Sequence, residues 1–122
     1  MVSIIVDQEY RIIDKVQTGI RKLPDGTQIQ TKASEHDVYC TLGYEAGTTG
    51  LCNGDTGHGS RTYLRLEDAS STDMRVRING GPETDCNKLE IIFGGDDELS
   101  AVIGALAFML RALEEQKAAK PI

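Results

Sequence analysis

The sequence predicts an α+β fold, an antiparallel β-sheet with one long C-terminal helix packed on it. Two observations carry this prediction: short β-branched or alternating segments separated by turn signals fill residues 1–95, and a single helical pattern covers residues 96–118. No internal repeat, low-complexity tract or linker divides the 122 residues, so we expect a single domain, 1–122. The order of elements is not the repeating βαβ order of a parallel sheet.

The first third of the chain predicts strands and one tight hairpin. Residues 2–6 are apolar and β-branched, as is typical of a strand. Residues 10–20 share that composition, although their spacing also suits one face of a helix, and we interpret them as a strand. Residues 21–23 and 28–31 flank a proline–aspartate–glycine turn at 24–26, in which proline presets φ and glycine accepts a positive φ.

The middle of the chain changes from a strand to a long loop. Residues 38–42 alternate apolar and polar side chains, which predicts a half-buried strand. Residues 45–59 are rich in glycine, threonine and asparagine and predict a loop. Because long loops on rigid scaffolds carry many binding residues, this loop is the first candidate for function.

Two further segments, 61–66 and 74–79, alternate strongly enough to predict the orientation of their side chains. The residues expected to point away from the core are Arg61, Tyr63, Arg65, Arg75, Arg77 and Asn79. If these strands pair as neighbours, their apolar faces share a core, and four arginines and a tyrosine share the other face. We therefore expect one cationic, hydrogen-bonding surface on an otherwise acidic protein.

The last quarter predicts a strand over 89–93 and then a helix over 97–117, with Asp96 as the helix N-cap. Leucine, isoleucine, valine and methionine form a wide stripe on this helix, but alanines and Phe108 make the opposite face apolar too. A helix that is apolar all round in a small domain predicts contact with a second subunit. Coverage by the N-terminal segment is the alternative.

Composition excludes several classes of protein. The net charge of −6 argues against a protein that coats DNA or lies on a membrane surface. Three cysteines without a C-x-x-C pair predict reduced thiols, and two isolated histidines predict no metal site. We expect no cofactor, and the lack of a signal-peptide pattern predicts a cytoplasmic location.

The segment 53–61 has the composition of an anion-binding loop. Its glycines allow backbone N–H groups to approach a phosphate, and Arg61 adds a charge-assisted contact. It matches neither a P-loop nor a dinucleotide fingerprint, because a strand follows it. A second loop, 80–85, ends near Asn87 and is a candidate lid. The candidate ligand-binding residues are Thr56, Gly57, His58, Gly59, Arg61, Tyr63, Arg75, Arg77, Asn87 and Phe93.

Catalytic readings of the same residues are weaker. Asp55, Thr56 and Gly57 spell the tripeptide of aspartic proteases, which share a proton between two carboxylates. In that family the aspartate usually ends an apolar strand, whereas Asn53 and Gly54 precede it here. No partner for an acid or base at His58 can be assigned from the sequence. We expect no catalytic residues and no enzymatic activity.

Three segments together carry a family resemblance: 56–63 (TGHGSRTY), 71–76 (STDMRV) and 89–99 (LEIIFGGDDEL). This combination resembles the first type of phage Thoeris anti-defence protein, over roughly the second half of the chain. The resemblance implies a phage-encoded protein in the host cytoplasm that acts as a sponge. Such proteins bind the cyclic ADP-ribose-type signal of a TIR-based defence system and hold it without degrading it.

The resemblance also implies a ligand, a site and an assembly. The ligand would be glycocyclic ADP-ribose, with Arg61, Asn87 and Phe93 as the arginine, asparagine and aromatic residue of the site. Members assemble as oligomers, so a dimer or hexamer is expected. Some bind cyclic trinucleotides at a separate site, for which Arg111 is the candidate. A protein-binding inhibitor of a host defence factor is the alternative function, and a small hydrolase acting through Asp55 or His58 is a further one.

Overall fold

The computed structural model of the chain describes residues 2–6, 12–37 and 39–118. Its elements, in chain order, are β1 (Val2–Val6), β2 (Ile12–Lys22), β3 (Gln28–Asp37), β4 (Thr41–Thr48), β5 (Arg61–Ser70), β6 (Arg75–Val76), β7 (Thr84–Asp85), β8 (Lys88–Gly94) and α1 (Asp96–Ala118). Six strands form one antiparallel sheet in the order β1-β2-β3-β4-β5-β8, and β6 and β7 form a separate two-stranded sheet. The α+β prediction is confirmed, with the single long helix packed on the antiparallel sheet.

The predicted hairpin joins β2 to β3. Lys22 pairs with Gln28, and the turn between them is closed by the Leu23 N–H donating to the Thr27 carbonyl at 2.8 Å. Gly26 has a φ of 91°, which is the backbone conformation that favours glycine at this turn. The strand interpretation of 10–20 is confirmed from residue 12 onward, and residues 10 and 11 lie outside the described residues.

The boundary between β4 and the loop after it was predicted wrongly. The strand runs over Thr41–Thr48 instead of 38–42, so the loop begins at residue 49 and not at residue 45. Composition hid this strand because two glycines stand at Gly43 and Gly47. A Cβ at Gly47 would overlap the Gln30 carbonyl of β3, so glycine is required here by close packing within the sheet and not by a turn.

The expected pairing of segment 61–66 with segment 74–79 was also wrong. β5 pairs with β4 on one side, from Thr48 opposite Thr62, and with β8 on the other, from Gly94 opposite Arg61. Both long edges of β5 are therefore occupied, and no edge is left for β6. The chain from 71 to 87, which we call the arm, instead folds back on itself through the short β6–β7 ladder.

The two faces of the sheet differ in how they are covered. Tyr63 lies on the predicted face, but it is 2% exposed and packs with Leu23 and Ile29 in a small core cluster. The other face carries Leu64 and Ile91 beneath α1. Near its start, β5 therefore contributes Tyr63 to the core cluster on one face, and its other face is the one on which the helix packs.

Helix α1 begins one residue before the predicted segment and ends one residue after it. The prediction of Asp96 as its N-cap was wrong, because Asp96 is the first helical residue and its carboxylate accepts from the loop at residues 52–60. Its first turns pack on the sheet through Leu99 and Val102, which are 9% and 7% exposed. The later large apolar residues are exposed, namely Ile103, Leu106, Phe108, Met109, Leu110 and Leu113. Among the described residues, no helix is long and apolar enough to cross a membrane.

Candidate functional site

The loop between β4 and β5, residues 49–60, is here called the glycine loop. It lies at the end of the sheet where β5 begins, β8 ends and α1 begins. The Gly57 N–H donates to the Gly94 carbonyl at 2.8 Å, and the Asp96 N–H donates to the Gly54 carbonyl at 3.1 Å. These bonds join the loop to β8 and to the first turn of α1, so the loop has a defined conformation.

The side chain of Asp96 occupies the centre of the glycine loop. Its carboxylate accepts hydrogen bonds from the backbone N–H groups of Cys52, Asn53 and Ser60 at 2.9 to 3.2 Å, and from the Ser60 hydroxyl at 2.5 Å. The hydrogen bonds from Ser60 and the loop backbone hold the pKa of Asp96 well below its usual range. The loop thus does converge its N–H groups on an anion, but that anion is the protein's own carboxylate.

Two glycines of the loop are required by close approach of the backbone. Gly54 and Gly59 lie against each other, and a Cβ at Gly54 would overlap the Gly59 backbone nitrogen. A Cβ at Gly59, where φ is 83°, would come within 2.7 Å of the Gly54 Cα and 2.8 Å of an Asp96 carboxylate oxygen. At Gly57, in contrast, a Cβ would meet no atom within 4 Å. Gly57 therefore stands at the open apex of the loop.

Arg61 forms hydrogen bonds with the backbone of the glycine loop. Its guanidinium donates to the carbonyl oxygens of Gly57 at 3.2 Å, Gly59 at 3.4 Å and Ser60 at 3.1 Å. Its Nε donates to the Asp25 carboxylate of the β2–β3 turn at 3.2 Å, a pair in which the side chains are 24% and 48% exposed. Arg61 is consequently at the predicted site and is partly accessible there.

The apex of the glycine loop is open to solvent. Thr56, Gly57 and His58 are all exposed, and the Thr56 hydroxyl donates to the Glu98 carboxylate at 3.2 Å. The His58 N–H donates to the Asp55 carbonyl at 2.7 Å, which closes a tight turn. Of the ten predicted ligand residues, the structure brings together Thr56, Gly57, His58, Gly59, Arg61 and Phe93 at this end of the sheet.

The two aromatic candidates have different environments. Tyr63 is buried, and its hydroxyl donates to the Glu90 carboxylate at 2.7 Å. Burial, together with this bond to Glu90, raises the pKa of Tyr63 to about 12. Arg21 lies 5.6 Å from the centre of the Tyr63 ring, so that face of the ring is occupied and is not available for stacking on a base. Phe93 pairs with Thr62 on the opposite face of the sheet and is half-buried.

Arg75, Arg77 and Asn87 lie at the other end of β5, on the arm. Asn87 lies opposite Asp68, and the Asp68 N–H donates to the Asn87 carbonyl at 2.7 Å. Arg61 and Asp68 are seven residues apart, so at about 3.3 Å per residue the two ends are separated by roughly 23 Å. Within one chain, these three residues do not join the glycine loop in a single site.

The expected cationic surface is not formed, because the arginines face carboxylates or carbonyls. Arg75 contacts the carboxylates of Asp73 at 2.8 Å and Glu83 at 2.6 Å, and the bond to Asp73 contributes most to raising the pKa of Arg75. Arg77 donates to the Gly81 carbonyl at 2.7 Å and to the Gly80 carbonyl at 3.0 Å, and so closes the arm's turn.

A buried ion-pair network on the sheet was missed from the sequence. Glu45, 7% exposed, accepts from Arg21 at 2.7 Å, from Arg65 at 2.9 Å and from the Thr31 hydroxyl at 2.5 Å. The bond from Arg21 contributes most to lowering the pKa of Glu45 to about 2. The alternation of Gly43, Glu45 and Gly47 was the available signal, but the glycines made the segment resemble a loop.

An apolar cleft opens between α1 and the sheet, with a volume of about 540 Å³. Its lining includes Leu64, Leu66 and Ile91 of the sheet and Leu106 and Met109 of the helix. Arg111, the candidate for a second nucleotide site, is exposed on α1. The cleft shows that the later turns of the helix diverge from the sheet and leave apolar surface on both elements accessible.

In comparisons with known proteins, no family model matches this chain, and no significant match is found to a curated protein or to a solved structure. The function proposed below therefore depends on the geometry of the glycine loop and on the resemblance carried by segments 56–63, 71–76 and 89–99.

Proposed function

We propose that this chain binds a cyclic ADP-ribose-type nucleotide, glycocyclic ADP-ribose in the first instance, and sequesters it without cleaving it. In this proposal the protein is phage-encoded, acts in the host cytoplasm, and inhibits Thoeris defence by lowering the free concentration of the signal. The binding site is the exposed apex of the glycine loop, with Thr56, Gly57 and His58 above Arg61.

The observation that carries the proposal is the exposed ion pair that Arg61 forms beside the glycine loop. Among the predicted ligand arginines it is the one beside the glycine loop, and its carboxylate partner is the exposed side chain of Asp25. Exposed ion pairs contribute only about 0 to 1 kcal/mol, so a ligand phosphate can replace Asp25 at low cost. A pyrophosphate offers several charged acceptors to the same guanidinium and forms shorter, charge-assisted hydrogen bonds.

The internal carboxylate of Asp96 supports this assignment by preorganising the loop. Because Asp96 satisfies the N–H groups of Cys52, Asn53 and Ser60, the loop is held in one conformation before any ligand arrives. A site that is already ordered loses less conformational entropy on binding. A ligand then contacts the outer surface of the loop instead of the interior that Asp96 fills.

Self-association is part of the proposal. The six exposed apolar side chains of α1 are 42% to 74% exposed. Exposed large apolar side chains concentrated on one element are typical of a protein–protein interface. We therefore include a homo-oligomer, a dimer or hexamer, in which Arg111 is the candidate for a second site that binds cyclic trinucleotides.

The test is thermal melting of the purified chain with glycocyclic ADP-ribose, followed by mass analysis of the nucleotide released on heating. A ligand at 100 times its Kd stabilises the folded state by about 2.7 kcal/mol. Arg61→Ala should weaken binding at least about tenfold, whereas Asp25→Asn should strengthen it because it removes the competing carboxylate. Lys117→Ala, which removes an exposed cation in the last turn of α1, is the charge-matched control, and we expect its binding to change far less.

The outcomes separate the candidate functions. A rise in Tm with an intact nucleotide mass supports sequestration, and a cleaved product indicates the hydrolase alternative, to be followed with Asp55→Ala and His58→Ala. No rise in Tm with any cyclic ADP-ribose isomer overturns the proposal. The exposed apolar helix then favours the protein-binding inhibitor, for which co-purification of a host defence factor is the measurement.

A further inference from the structure

The chain contains two asparagine–glycine pairs, Asn53–Gly54 in the glycine loop and Asn79–Gly80 in the arm. Both asparagines are exposed, and both have a positive φ, 61° at Asn53 and 52° at Asn79. Asparagine tolerates this left-handed conformation better than most residues do. The two pairs are thus alike in residue type, backbone region and exposure of the side chain. They differ in how the surrounding chain packs on them.

An asparagine followed by glycine is chemically reactive. The glycine backbone nitrogen can attack the side-chain carbonyl carbon of the asparagine, since glycine has no Cβ to hinder the approach. A C–N bond forms, and the side-chain nitrogen leaves as ammonia with the proton of the glycine N–H, so a cyclic succinimide remains. Water then opens the ring at either carbonyl. The products are an aspartate and an isoaspartate, in which the main chain runs through the former side chain.

Ring closure in a folded protein requires the peptide group between the two residues to rotate. The chain must therefore open locally before it reacts, and the free energy of that opening controls the rate. An asparagine–glycine pair that is held only by exposed hydrogen bonds opens easily. A pair that is packed against other backbone opens rarely.

The pair in the arm is held only by exposed hydrogen bonds. Asn79 and Gly80 are the central residues of a turn that the Gly81 N–H closes by donating to the Ile78 carbonyl at 2.9 Å. Gly80 has a φ of 72°, so both central residues have a positive φ, as in a type I′ turn. Arg77 donates to the carbonyls of Gly80 and Gly81 at 3.0 and 2.7 Å. A Cβ at Gly80 would meet no atom within 4 Å, so the peptide group has space to rotate.

The pair in the glycine loop is held on both sides of its peptide group. The Asn53 N–H donates to the Asp96 carboxylate at 2.9 Å, and the Gly54 carbonyl accepts the Asp96 N–H at 3.1 Å. Gly54 also packs directly against the backbone of Gly59, with no space for a Cβ between them. Rotation of this peptide group would separate two packed segments of backbone and disrupt the hydrogen bonds to Asp96.

We propose that Asn79 is a site of spontaneous deamidation in the folded protein, and that the glycine loop protects Asn53, in the same dipeptide, from this reaction. Deamidation replaces a neutral amide at the turn of the arm with a carboxylate. In the isoaspartate product it also lengthens the main chain between Ile78 and Gly81, so the turn can no longer close as it does now. Because β6 and β7 form a sheet of their own, the change is confined to the arm.

Peptide mapping by mass spectrometry tests this proposal on the folded wild-type chain. The protein is incubated in mildly alkaline buffer, which favours the attack by removing the N–H proton. Conversion of amide to carboxyl is then measured at both asparagines, and an isoaspartyl methyltransferase identifies the isoaspartate product. We expect Asn79 to react at least about tenfold faster than Asn53.

The same chain unfolded in urea is the matched control. There the glycine that follows each asparagine is free to react, so Asn53 and Asn79 should deamidate at similar rates. Equal rates in the folded chain, or a faster reaction at Asn53, overturn the proposal. So does a folded chain that reacts at neither position over a period in which the unfolded chain reacts at both.

Two variants test whether local opening controls each reaction. Arg77→Ala removes the hydrogen bonds across the turn of the arm and should speed the reaction at Asn79 alone. Asp96→Asn weakens the hold on the glycine loop and should speed the reaction at Asn53 alone. The Tm of each variant is measured first, so that the incubation is made where both are folded. If either variant changes both asparagines equally, opening is global and the proposal fails.

Discussion

The main sheet and the arm contain the same residue types, but the sheet region buries them and the arm leaves them exposed. In the sheet, Glu45 is nearly buried between two arginines, and close backbone packing requires Gly54 in the adjoining loop. In the arm, Arg75 meets carboxylates that are more than half exposed, and a Cβ at Gly80 would meet no atom within 4 Å. Burial, and not residue type, decides which of these contacts the fold depends on.

The largest difference in stability between variants of the two regions should appear at their glycines. Gly54→Ala places a methyl group in the Gly59 backbone, and we expect a loss of about 3 kcal/mol or more in the free energy of unfolding. Gly80→Ala meets no neighbour and costs only the strain of a positive φ, about 1 kcal/mol. Urea unfolding of both variants checks this, and equal losses would contradict the close approach of Gly54 and Gly59.

The next largest loss of stability is expected when the buried ion pair of Glu45 is removed. Glu45→Gln leaves Arg21 and Arg65 beside a neutral amide, and loss of one partner of a buried pair should cost about 3 kcal/mol. The pKa of Glu45 is about 2 in the folded chain against an ordinary 4.5, so its stabilising contribution is complete above pH 4.5. That contribution falls as the pH drops from 4.5 towards 2. Urea unfolding across this range should show a smaller pH dependence in Glu45→Gln than in the wild type.

Asp96→Asn tests whether the glycine loop is held as firmly as the sheet. The amide cannot accept all the hydrogen bonds that the carboxylate receives from Cys52, Asn53 and Ser60. We expect at least about tenfold faster hydrogen exchange at these backbone amides, with the β2–β3 ladder unchanged. Unchanged exchange at Ser60 would show that the loop does not need its internal anion.

The smallest effect is expected in the arm. Glu83→Gln removes an exposed contact of Arg75, and exposed pairs of this kind contribute little to stability. Its Tm should match that of the wild type, at both low and high salt. A clear loss of stability would show that the arm is coupled to the rest of the protein.

Local sequence signals predicted much of the fold but less of the site. The turn at Gly26 and the helix after Gly95 were predicted because their signals are confined to a few neighbouring residues. β4 was misplaced because its glycines serve packing within the sheet. Tyr63 was placed on the right face but not in the core, since alternation gives the side of a strand and not what covers that side.

By itself, the sequence determined the α+β class, the β2–β3 hairpin, the span of α1 to within one residue at each end, and the part of the glycine loop from residue 53 to residue 59. These depend on periodicity and on turn chemistry, which act over a few residues. Only the tertiary structure decided that β8 and not β6 is the partner of β5, and that Asp96 fills the loop. Both depend on contacts between residues far apart in the chain, where competition for one strand edge and for one set of N–H donors decides the outcome.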